Sequence, residues 1–227
     1  MRFGLSTRNR PEDATIVREL PLPHMDRFKE IECSKPTPLE WSRWMNRRFG
    51  EDGWDQRVYA FLATFPEAML DLPNRGETMK NFPTPRSWTW LALDLKEGFD
   101  SKEDIIGLVG ETWGVRFHQF LQIKVDVEEL IRRPKIWKEW GRENLDRKYM
   151  AAWALANYIK KKVKKGQYDR MVKLFEVMAS DQREILVFFF SHFSYSRLED
   201  LLKFFNKRLP EIYATIEEIG RYIKAMS

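Results

Sequence analysis

Cysteine is nearly missing from this chain. Cys33 stands alone in 227 residues, which excludes an intramolecular disulfide framework. Histidine is almost as scarce, and His24, His118 and His192 lie too far apart to give a metal-ligand spacing. The eleven glycines include no G-x-x-x-x-G-K-S/T phosphate loop, and no apolar run ends in paired acids that could hold Mg²⁺. A G-x-S-x-G elbow, an H-E-x-x-H pair and a cysteine with a histidine partner are missing too. These absences argue against a self-contained hydrolase or redox enzyme, and against a chain that cradles a nucleoside triphosphate by itself. Long hydrophobic runs are also lacking. The strongest, ILVFFF at residues 185–190, is far too short to span a bilayer, and residues 1–5 do not resemble a signal peptide. The expectation is a soluble protein in a reducing, cytoplasmic setting, with no membrane partner.

What is present is apolar and aromatic. A hydrophobic content of 43% with 14% aromatics suffices for a packed core at this length. Lys and Arg number 39 against 34 Asp and Glu, a net charge of +5. That balance tilts weakly toward anionic partners and does not by itself indicate nucleic acid.

Periodicity divides the chain. Residues 2–6 and 28–33 read as two short strands around a loop punctuated by Pro11, Pro21 and Pro23. Beyond Pro38 the period becomes helical. Trp41, Trp44, Met45 and Phe49 predict one helix; Val58, Phe61, Leu62, Phe65 and Met69 predict a second. After a loop over 71–85, RSWTWLALDL opens a third. Ile106, Val109, Trp113, Phe117, Phe120 and Leu121 mark a fourth, long one. The charged stretch RRPKIWKEWGRENLDRK then separates this bundle from a second helical block, with ILVFFFSHF as its buried centre.

Three polar residues have suggestive positions: Asn9 just after the first strand, Arg27 just before the second, and Arg86 opening a helix after FPTP. Singly, each has a plain explanation. Asn9 suits a turn, Arg27 can pair with Asp26 or Glu30, and Arg86 can lay its stem over Trp90. In order they carry more. STRNRPED, VRELPLPHMDRF, VYAFLATFPEAML, NFPTPRSW and IIGLVGETWGVRFHQFL together resemble the C-terminal half of a MoxR-type AAA+ ATPase, over about residues 5–121. The Asn turn followed by Asp26-Arg27-Phe28, and Thr84-Pro85-Arg86-Ser87-Trp88, are the most specific parts.

The resemblance implies a mainly α fold. A short remnant of an α/β AAA+ core (residues 1–37) would precede a helical lid (38–124), and a C-terminal helical extension (145–227) would follow. It further implies that Asn9 is sensor 1, an amide beside the γ-phosphate and attacking water. Arg27 would be an arginine finger reaching a neighbouring subunit's nucleotide, and Arg86 sensor 2, reading the γ-phosphate of its own subunit. The Walker A and Walker B part is missing. ATP and Mg²⁺ are therefore expected only when a core half is supplied, and the isolated chain is expected to need no cofactor. A truncated gene product, a mis-assigned start and one half of a split enzyme all fit. Implied partners are that core half, neighbouring subunits of a hexameric ring, and a von Willebrand factor A-type protein. Two other readings stay open: a non-catalytic helical interaction module, and a basic helical nucleic-acid binder. The latter rests only on the lysines between Lys160 and Lys165, which a solvated helix C-terminus explains better.

Overall fold

The computed structural model describes residues 34–73, 81–210 and 213; the two expected strands, Asn9 and Arg27 lie outside the described residues. Among the described residues the chain is mainly α-helical and contains no strand, as the spacing from residue 38 onward predicts.

Helix α1 (Pro38–Phe49) opens on a reciprocal cap. The Thr37 hydroxyl accepts from Glu40 N–H at 3.2 Å, and the Glu40 carboxylate accepts from Thr37 N–H at 2.8 Å. Pro38 occupies the first turn, where its missing N–H costs nothing. Helix α2 (Arg57–Thr64) is buried at Val58 through Leu62. A helix apolar on every side belongs in the middle of the molecule, and α2 lies there. The expected single helix through Met69 stops at Thr64, because a proline at 66 cannot continue the backbone ladder. The chain instead makes a short 3₁₀ turn, Pro66–Met69.

Helix α3 (Pro85–Glu97) begins at a second reciprocal cap, between Thr84 and Ser87, and ends at Gly98 with φ +95°. The expected long fourth helix is in fact two, α4 (Lys102–Val109) and α5 (Glu111–Leu121). Gly110, at φ +80°, makes the break. A Cβ there would meet the Asn81 carbonyl oxygen at 2.3 Å, so two constraints converge on this glycine. The helices fold back on each other so closely that a Cβ on Gly114 would lie 2.8 Å from Ile106 Cα.

The charged stretch after α5 is not a bare spacer. It includes the end of α6 (Val127–Arg132) and the single turn α7 (Ile136–Glu139), which buries Trp137 completely. The second block follows: α8 (Leu145–Lys162), α9 (Val172–Ala179), α10 (Arg183–Ser191) and α11 (Tyr195–Arg208). One apolar core runs from α1 to α11. In the first block Phe61 is its hub, with ring centroids 5.6 Å from Trp88, 5.1 Å from Phe117 and 5.4 Å from Phe120. In the second, Phe175, Phe189, Phe190 and Phe205 interlock, which bears out ILVFFFSHF as a buried centre. Tyr59 of α2 packs on Phe188 of α10, and Phe188 on Tyr149 of α8, so the blocks share side chains.

Candidate functional site

Along α3, residues 88, 91, 92 and 95 point inward and are buried. Arg86, Thr89, Trp90 and Leu93 follow the opposite spacing and form the outer stripe. Trp88 fixes the roll of the helix: it is fully buried and its indole N–H donates to the Ala68 carbonyl at 2.6 Å. Helix α1 presents a matching stripe. Trp41 turns inward and donates its indole N–H to the Thr89 hydroxyl at 3.1 Å, tying α1 to α3. Trp44, three residues on, falls at the rim, and its ring meets Phe49 edge-on at 5.9 Å.

Between these stripes lies an open cleft of about 680 Å³, walled by Trp44, Phe49, Trp90 and Leu93 and edged by Arg48, Arg86 and Glu40. Trp44 is 45% exposed and Trp90 56%, a high value for two large apolar rings facing one cleft. Among the described residues one carboxylate lies at the edge and is already engaged, since Glu40 accepts from both the backbone N–H and the hydroxyl of Thr37 at 2.8 Å. Those hydrogen bonds hold the carboxyl below the usual carboxylate range. Arg48 and Arg86 make no ion pair among the described residues. Among the described residues the cleft thus offers an apolar aromatic surface edged by two guanidinium groups and one carboxylate, an excess of one positive charge.

Arg86 therefore stands where the sequence puts it, as the second residue of α3, exposed and in the same cleft as Trp90. Asn9 and Arg27 lie outside the described residues, and no geometry joins them to it here.

Two polar clusters escaped sequence reasoning. Lys148 is 1% exposed, and its Nζ donates to the Asp181 carboxylate at 2.6 Å. The same oxygen accepts from the Trp137 indole at 3.0 Å, and Arg142 lies 3.8 Å from the other. One carboxylate thus ties α7, α8 and the turn after α9 together. The available signal was register: Lys148 shares the buried face of α8 with Ala152, Leu155 and Ile159.

The second cluster joins α2 to α10. Ser191 donates its hydroxyl proton to the Phe188 carbonyl at 2.6 Å, so Tyr59 must be the donor in its 3.0 Å contact with Ser191. Burial pushes the Tyr59 phenol up to about 12. His192 stacks on Tyr59; its Nδ1 lies 2.8 Å from the Phe188 carbonyl while Nε2 is buried with no hydrogen-bond partner among the described residues. Burial drives the imidazole down to about 3, outweighing the hydrogen bond to Phe188, which acts in the opposite sense. Neither cluster borders the cleft.

The lysine run at the end of α8 is a charged helix terminus. Lys160 lies 3.8 Å from Glu51, Lys165 donates to the Ser196 hydroxyl at 2.8 Å, and Arg197 donates to the Ile159 and Val163 carbonyls at the helix C-terminus. Among the described residues no group of three or more His, Cys, Asp or Glu side chains could hold a metal ion, and no helix is long and apolar enough to cross a membrane. Comparison with protein-family models, with curated proteins and with solved structures finds no match to this chain.

Proposed function

We propose that this chain is the sensor and lid portion of a MoxR-type AAA+ ATPase, which hydrolyses ATP only together with a phosphate-loop half and works in a ring-forming remodelling machine. The reading rests on the succession of Asn9, Arg27 and Arg86 along the sequence and on the segments around them. The observation that carries it is the placement of Arg86, held by the Thr84–Ser87 cap in the first turn of α3 with its guanidinium on an open cleft. A permanently charged planar group at the positive end of a helix suits a terminal phosphate oxygen.

The fit to nucleotide is partial, and it defines the division of labour. Arg86 supplies one cation, whereas a triphosphate and its Mg²⁺ need a loop of backbone N–H groups and a carboxylate. Those belong to the other half. When bound, ATP with Mg²⁺ brings the phosphoryl group and most of its charge compensation. In this reading Arg86 reads the terminal phosphate within its own subunit, Asn9 orients the attacking water, and Arg27 donates to the phosphate oxygens of a neighbouring subunit. A neighbouring ring subunit and a von Willebrand factor A-type protein are the partners this reading implies.

The test is reconstitution. Alone, the chain binds ATP weakly or not at all; sub-micromolar binding to the isolated protein would overturn the proposal. Supplied with a phosphate-loop half as a fusion or separate chain, it supports hydrolysis, and Arg86→Ala weakens both ATP binding and turnover.

A second reading has its own support. A helical module that has lost nucleotide chemistry would still present the Trp44–Trp90 cleft, whose exposed rings suit protein docking. Under that reading reconstitution restores no hydrolysis.

A further inference from the structure

We infer that the cleft between α1 and α3 docks an acidic peptide segment: apolar side chains enter between Trp44 and Trp90, and carboxylates pair with Arg48 and Arg86. Shape and chemistry argue together. The floor and walls are apolar and aromatic, with Trp41, Phe49 and Leu93 behind the two exposed indoles. Rigid aromatic rings bury large areas at little conformational cost, which makes them strong anchors for a partner. The volume of about 680 Å³ admits several side chains of one segment.

Charge selects the partner. Glu40 keeps its charge but is turned to its own helix cap, so Arg48 and Arg86, which make no ion pair among the described residues, leave their guanidinium donors open to a carboxylate, and the described rim carries one net positive charge. Each presents a fork that accepts a carboxylate in bidentate fashion. A second copy of this chain fits poorly, because a protein of net charge +5 meets its own kind with like charge. Single-stranded nucleic acid fits poorly as well. It needs a track of cations along its backbone, and among the described residues this cleft has two guanidiniums in a mainly apolar lining. An acidic amphipathic segment, with anchors at helical spacing and glutamates alongside, matches both features. This inference does not rest on the ATPase reading, since it concerns the chain without nucleotide and Arg48 carries half of it.

The test is fluorescence anisotropy with a labelled amphipathic peptide of about fourteen residues, long enough to span such a groove, with leucines at i, i+3 and i+7 and glutamates between them. The chain binds it saturably, and added salt weakens binding. Trp90→Ala, and separately Arg48→Glu, lower affinity by about tenfold or more, as expected of an anchor and of a reversed charge pair. The same peptide with lysine in place of glutamate does not bind. Both altered residues sit at an open surface, and matched thermal unfolding confirms that the variants are folded. Absence of binding by the unaltered chain overturns the inference, as does binding that survives both substitutions. Tighter binding of an oligothymidylate lost in Trp90→Ala assigns the cleft to nucleic acid instead, and concentration-dependent dimerisation abolished by Trp90→Ala assigns it to a second copy.

Discussion

Lys148 and His192 are polar side chains buried inside an apolar core. Lys148 and Asp181 form an ion pair with little water around it. Removing one partner strands the other, so Asp181→Ala should cost about 3–5 kcal/mol, whereas the double change Lys148→Met with Asp181→Leu should recover much of that. Urea unfolding of the three variants decides the matter; a double variant no more stable than Asp181→Ala would show that the pair does more than neutralise itself. His192 makes a pH-dependent statement. Its folded pKa, about 3, lies below the ordinary value of 6.5, so the unfolded chain takes the proton first. The stability it protects is therefore complete above about pH 6.5 and drains away as the pH falls toward 3, by about 1.4 kcal/mol per unit at most. Replacing His192 with Leu should flatten the stability profile between pH 6.5 and 4; an unchanged slope would mean that other groups carry the acid sensitivity. The sequence placed His192 in the buried run ILVFFFSHF but gave neither residue a partner, because periodicity ranks lysine and histidine as polar and says nothing of which carboxylate or ring awaits them.

Elements were easier to read than their ends. The stripes at 58–62, 171–178 and 185–193 become buried helix faces because apolar residues three and four apart have no other way to leave water together. Breaks were harder. Ile106, Val109, Trp113, Phe117 and Phe120 keep helical spacing straight through Gly110, so the apolar pattern is blind to a chain reversal that only the backbone at φ +80° reveals. Pro66 was visible, yet the stripe continues across it to Met69 in a 3₁₀ turn. The α4–α5 corner is testable: Gly110→Ala places a methyl group against the Asn81 carbonyl on a left-handed backbone, and should cost about 2 kcal/mol or more. Thermal unfolding checks this, and a neutral result would mean that the corner relaxes. Trp44 is the instructive member of the α1 stripe. Its step of three from Trp41 leaves it at the edge of the buried face, so the same spacing that predicted core packing carried a ring to the cleft.

At the scale of the whole molecule, the mainly helical class was legible from composition and period alone. The helix start at residues 84–88 was legible too, because Thr-Pro-Arg-Ser-Trp writes out a capped helix start followed by a buried ring. The sharing of core between the two blocks was not legible, since Tyr59 meets Phe188 and Ser191 across more than a hundred residues and no local pattern foretells such pairing. The proposal that Arg27 and Arg86 serve nucleotide sites completed by another half is tested most directly by a mixing experiment. Subunits carrying Arg27→Ala are combined with subunits whose phosphate loop is disabled, each being inactive alone. Arg27→Ala by itself should lower turnover by about 10³-fold or more with ATP affinity nearly intact, as for a finger acting in trans. In the mixture, ATP hydrolysis should reappear, because some sites then pair an intact loop with an intact Arg27 from the next subunit. Mixtures that assemble yet stay inactive would contradict the account.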